Sequence, residues 1–274
     1  MSQDALQPPQ SEPVFNPNLL VQEMALVRDV SPADIKQWLA AGWRDLKANA
    51  VVSISYAGLF VILGIFISFG FYFMGMPYLV LPGISGFLLV GPAAGIGFYE
   101  ISRRSAEGER ASFTDAVLAF RRNTLGIMGL GIALVFLLQV WIRLSFTIFA
   151  ISFPGVMPEW SDIFARAASI EGVHFGLAIT ALGAVFATLI FFAAGFAMPL
   201  MLDRKTILIP SMIASAYAVG RNKPAMALWA GSIVLITGLG LATAFLGLIV
   251  TLPWIGHATW HAYKQVMAGK PQSD

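Results

Sequence analysis

Long apolar runs alternate with short charged islands along this chain, and each run approaches the roughly 20 residues a helix needs to cross a bilayer. The runs predict membrane spans over about 50–73, 78–101, 124–143 and 174–201. The first two are joined by a turn at Gly75–Met76–Pro77. A last apolar stretch, from Ala225 to about Tyr263, is too long for one ordinary span at about 1.5 Å per residue. We divide it near Thr237–Gly238–Leu239–Gly240 into spans over 225–239 and 242–262, which makes six.

The pattern also repeats. Setting Asn49, Asn123 and Asn222 in register aligns Leu39–Leu46 with Phe113–Phe120 and Met212–Val219, with bulky apolar residues at both ends and a small residue at the fourth place. Near the span ends, Pro92, Gly95, Tyr99, Glu100 and Arg103 answer to Pro253, Gly256, Trp260, His261 and Lys264. Repeats constrain architecture before any local feature does. The fold class expected is all-α: six transmembrane helices as three like-oriented hairpins, each preceded by a cytoplasmic-side amphipathic helix.

The first amphipathic helix begins at Ser31–Pro32–Ala33–Asp34, with Ser31 as cap, Pro32 in the first turn and an early acid. It puts Ile35, Trp38, Leu39, Gly42, Trp43 and Leu46 on one face, and Lys36, Gln37, Arg44, Asp45 and Lys47 largely on the other. Such a helix is expected to lie in the headgroup plane. Trp38, Trp43, Arg44, Arg103, Arg104, Arg143 and Trp260 are the expected membrane-interface residues. Arg143, at the end of its run, would reach the outer headgroups by its long stem.

Composition agrees with a membrane protein: 57% of residues are hydrophobic and 12% charged, about half the charge of a soluble domain. Without cysteine, disulfides, thiolate metal sites and cysteine catalysis are excluded. The Lys and Arg residues flank spans, so their excess speaks for topology and not for nucleic acid. All of them except Arg143 and Arg166 fall on one side of the six-span arrangement. By the positive-inside rule both termini are cytoplasmic. Residues 1–30 read as a disordered cytoplasmic tail, 31–264 as the membrane domain and 265–274 as a short second tail. Anionic headgroups on the cytoplasmic side are the expected partners, and a membrane-protein partner or a second copy is compatible with the pattern.

Candidate chemistry is sparse. His257 and His261 are four residues apart and share a helix face. Packed about a pseudo-threefold axis, Glu100, Asp203 and His261 would converge at one depth, enough for a transition-metal site or a proton path. Against this, Glu100 has Arg103 and Arg104 on its own helix, and Asp203 has Arg204 and Lys205 beside it. There is no His–Glu–x–x–His motif, no phosphate-cradling loop and no serine elbow. No cofactor and no catalytic residue are expected.

At Ala41–Gly42–Trp43–Arg44–Asp45, Gly91–Pro92 with Tyr99–Arg104, Pro199–Arg204 and Gly256–Tyr263, the chain resembles a bacterial family of integral membrane proteins classed only as a domain of unknown function. The resemblance runs over nearly everything after Val27 and implies a six-span inner-membrane protein without an established activity. Three readings follow. A non-catalytic scaffold, assembly or lipid-interacting protein leads; a small-solute or proton permease and a membrane-embedded metal-binding protein or metalloenzyme are the alternatives.

Overall fold

The computed structural model describes residues 21, 23–75, 80–89, 91–154 and 169–267. The expected disorder of the first 20 residues, the second tail, most of the Gly75–Pro77 turn, and Arg166 lie outside them. Among the described residues the protein is all-helical. In chain order the helices are α1 (Asp34–Ala48), α2 (Ala50–Phe73), α3 (Val80–Leu89), α4 (Gly91–Ala94), α5 (Ile96–Ala106) and α6 (Phe113–Val117), with a 3-10 turn over Ala119–Asn123. They continue as α7 (Thr124–Ser152), α8 (Ile170–Ala194), α9 (Ala197–Arg204), α10 (Leu208–Arg221), α11 (Lys223–Ala242) and α12 (Leu248–Val266).

Among the described residues four segments are long and apolar enough to cross a membrane: Ala50–Phe73, Ala119–Ser152, Ile170–Arg204 and Lys223–Ala242. The second and sixth expected spans are not among them. The second lies partly outside the described residues, which give it as the helices α3, α4 and α5. The sixth, α12, carries Pro253, His257, His261 and Lys264 and is almost wholly packed against protein. The last apolar stretch does divide, slightly later than the sequence indicates: α11 ends at Ala242 and α12 starts at Leu248. Ala244 (φ 51°) and Phe245 (φ 71°) take left-handed backbone in that turn. This conformation costs non-glycine residues about 1–2 kcal/mol each. Burial of the Phe245 ring, seated beside the Cα of Gly64 on α2, offsets it.

α7 runs on past Arg143 to Ser152, so Arg143 is an exposed residue inside a helix and not at its end. Phe146 and Phe149 belong to the same helix. Phe149 and Phe153 pack with Phe175 at the start of α8.

The interior is centred where α5, α9 and α12 touch pairwise. α1 lies along α12, and their backbones meet at Gly42: a Cβ there would stand 2.5 Å from the Ala258 nitrogen. Trp38 is therefore buried, edge-on to Trp229 of α11, with Nε1 donating to Gln265 Oε1 at 2.6 Å. Of the expected headgroup-facing residues, Trp38, Arg103 and Trp260 face protein instead, while Trp43, Arg44 and Arg143 are exposed and Arg104 is half-buried. The reason is the same throughout: the apolar stripe of α1 is covered by α12, and α5 and α12 cross tightly at Gly256 and Phe98.

Residues 23–30, assigned with the tail, are docked. Glu23 pairs with Arg204 at 2.8 Å and Asp29 with Arg221 at 2.6 Å. The Arg28 amide donates to the Val266 carbonyl at 2.8 Å.

Candidate functional site

The three asparagines that set the sequence register all stand at helix junctions. Asn49 separates α1 from α2, Asn123 precedes α7 and Asn222 separates α10 from α11. Two of them reach across the fold. Asn123 Nδ2 donates to the carbonyls of Met201 (3.2 Å) and Thr206 (2.7 Å), holding the connector before α10. Asn222 Oδ1 accepts from the Val30 amide at 2.8 Å, and its Nδ2 donates to the Arg28 carbonyl at 3.0 Å, holding the segment before α1. Asn49 Nδ2 donates within its own helix, to the Asp45 carbonyl at 3.1 Å.

The four polar residues singled out from sequence go to three places. Glu100, 2% exposed, takes a bidentate pair from Arg103 (both 2.8 Å), a further bond from Arg104 (2.8 Å), and has Arg122 at 3.6 Å. The Arg103 and Arg104 bonds lie within α5, and the Arg122 contact is the one that reaches the 3-10 turn. Asp203 accepts from the Tyr263 hydroxyl at 2.7 Å and from Lys264 Nζ at 3.1 Å, joining α9 to α12. His261 meets Asp45 of α1, a residue of that helix's polar face, and His257 reaches the same carboxylate through Ser102. Among the described residues no group of three or more His, Asp or Glu side chains has an arrangement suited to a metal ion.

The histidine site is a chain of five side chains from four helices. His261 Nε2 lies 2.9 Å from Asp45 Oδ2. Ser102 Oγ donates to the same carboxylate oxygen at 2.6 Å and lies 2.8 Å from His257 Nδ1. Ser53 Oγ lies 2.9 Å from His257 Nε2. Proton bookkeeping fixes the direction of every bond. An ionised carboxylate only accepts, so the one Ser102 hydroxyl proton points to Asp45 and Ser102 must accept from His257 Nδ1–H. Nε2 is then a lone pair that accepts from the Ser53 hydroxyl. Ser53, Ser102 and His257 are buried, while Asp45 and His261 are partly open, with side chains 18% and 32% exposed. Burial pushes the Asp45 carboxyl up, but hydrogen bonds from His261 and Ser102, with the nearby imidazoles, hold it below its ordinary value.

Asp45 and the two serines were missed because a chain spread over residues 45 to 261 has no local spacing. The register does hold a signal: Asp45 aligns with Ala119 and Ala218, and Ser53 with Ile127 and Met226.

The comparisons bear on class and not on activity. No curated protein and no solved structure matches the chain. Residues 80–203 match a family model described as predicted integral membrane protein (DUF2189). That stretch includes Gly91–Pro92, Tyr99–Arg104 and Pro199–Asp203, and leaves out the Gly256–Tyr263 segment. The protein is an integral membrane protein with several apolar helices, similar through its middle to that uncharacterised membrane family.

Proposed function

We propose that the chain is a non-catalytic scaffold of a bacterial inner membrane, built from three like-oriented units closed into a ring and engaging anionic headgroups at its cytoplasmic side. The units are α1–α5, α6–α9 and α10–α12. The observation that carries the reading is that the ionisable side chains a transport path or metal site would need are spent on joining helices. Glu100 is held by Arg103 and Arg104 of its own helix and faces Arg122 of the 3-10 turn, Asp203 joins α9 to α12, and His261 joins α12 to α1. The packing supports the ring. α6 packs on α5, α10 on α8 and α9, and α1 on α12, so each leading helix rests on the unit before it. The Asn123 and Asn222 bonds follow the same order, each reaching the segment ahead of the next unit.

Lipid engagement is supported by the outer faces. α1 exposes Lys36, Arg44 and Lys47, and α10 exposes Ile209, Ile213 and Tyr217 between Lys205 and Arg221. In native mass spectrometry the purified protein should retain phosphatidylglycerol over phosphatidylcholine. Replacing Lys36, Arg44 and Lys47 by Gln should lower that retention several-fold, and equal retention of both lipids would remove lipid engagement from the reading. Reporter fusions after Met74, Phe153 and Ala244 should read periplasmic, and those after Gly108 and Lys205 cytoplasmic. A cytoplasmic signal at Ala244 would break the three-unit arrangement.

A further inference from the structure

The docked segment ahead of α1 carries one contact that its anchoring does not need. Asn222 holds the backbone on both sides of Asp29, through the Arg28 carbonyl at 3.0 Å and the Val30 amide at 2.8 Å. Asp29 is thereby presented to Arg221, whose Nε donates to Oδ1 at 2.6 Å and whose Nη2 donates to Oδ2 at 3.0 Å. The acid side chain is 73% exposed and the arginine 42%, and an ion pair that open adds little to stability. Its own helix also sets the arginine: Nη1 donates to the Tyr217 hydroxyl at 3.3 Å, one turn earlier on α10. The Nε–Nη2 edge is left to an anion, and such an edge takes two oxygens of a carboxylate or of a phosphate alike.

The surroundings of that edge match a phospholipid. Ile209, Ile213, Tyr217 and Arg221 follow one another a turn apart on the exposed face of α10, passing from aliphatic to amphipathic to cationic. Lys223, also exposed, opens the spanning helix α11, along which Leu228, Val234 and Leu235 stand exposed. A cationic junction at the head of an apolar wall suits an anionic headgroup and its acyl chains together. We propose that Arg221 and Lys223 bind the phosphate of an anionic phospholipid, and that Asp29 is a resident carboxylate competing for the same arginine edge. The proposal rests on the lipid engagement set out above and gives it a place and a control. With residues 28 and 30 clamped by Asn222, only the Asp29 side chain has to rotate away when the phosphate arrives. The segment itself stays docked.

Radiolabelled phosphatidylglycerol binding to the full-length protein in phosphatidylcholine–detergent micelles tests this. Asp29→Asn should raise the affinity by about two- to fivefold, the range that loss of a competing exposed ion pair spans. Arg221→Gln should lower it several-fold, as should Lys223→Gln, which leaves the Asp29 pair intact. In the Arg221→Gln background Asp29→Asn should bring no gain. Glu109→Gln, which removes an exposed acid between α5 and α6, controls for net charge and should change nothing. A gain in Glu109→Gln equal to that in Asp29→Asn, or a gain that persists without Arg221, overturns the competition. Displacement of the lipid by a large excess of inorganic phosphate overturns the lipid assignment. A preference for phosphatidylglycerol without any gain in Asp29→Asn sinks this site and leaves lipid engagement standing. Equal retention of both lipids by the wild type and Asp29→Asn sinks both.

Discussion

Asn222 holds Val30: the carboxamide oxygen of the one accepts the amide proton of the other at 2.8 Å, across 192 residues of chain. With Nδ2 also on the Arg28 carbonyl, this side chain completes two backbone groups ahead of α1. Asn222→Ala should cost about 1–3 kcal/mol, since a partly buried amide loses its acceptor. Asn123→Ala, which strands the Thr206 carbonyl, should fall in the same range, and Asn49→Ala well below it. Thermal unfolding in detergent checks the order, and three equal losses would remove the distinction between clasping and local asparagines.

Gly42→Ala sets two effects against each other. In an open helix the change gains up to about 1 kcal/mol of helix propensity. Here the added methyl would meet the Ala258 backbone, which cannot rotate away as a side chain could. Overpacking of this kind costs about 1–3 kcal/mol, so the substitution should be destabilising. Gly58→Ala on α2, where nothing stands within 4 Å, is the control and should be neutral or slightly stabilising.

Trp38 and Trp43 sit on the same amphipathic helix and should behave differently. Trp38→Ala empties a site between α11 and α12 and strands Gln265, a loss of about 3–5 kcal/mol. Trp43, 39% exposed and edge-on to Trp254, should lose much less stability and more lipid affinity. Similar melting temperatures for the two variants would contradict the buried position of Trp38.

The Asp45 carboxyl is held below its ordinary value of 3.8 in the folded chain. A depressed acid contributes stability that is fully present above its unfolded pKa and lost as pH falls through the folded one. Unfolding followed from neutral pH down through about pH 4 and below should therefore show a shallower acid loss in Asp45→Asn than in the wild type. Parallel acid limbs would mean that the His261 and Ser102 bonds do not act on this carboxylate.

Much of this was legible in the residues, and the remainder failed for definite reasons. The asparagine register marked true helix junctions because the change from amphipathic to apolar pattern is a local property. The stripe through Ile35, Trp38, Gly42 and Leu46 marked a face that must be covered, but periodicity does not say by what; α12 covers it where lipid was expected. His257 and His261 were picked out by spacing along one helix, while their acid partner lies 216 residues from His261. Glu100 was assigned correctly to Arg103 and Arg104 because those contacts are a helical turn away.

The contact between Gly42 and Ala258 joins one of the first helices made to the last. At about 5–20 residues per second, α1 waits on the order of 10–40 s after leaving the ribosome before α12 exists to receive it. Through that interval the Trp38 face of α1 lacks the cover that α12 gives it in the folded chain, so burial of that face belongs to the late steps of folding.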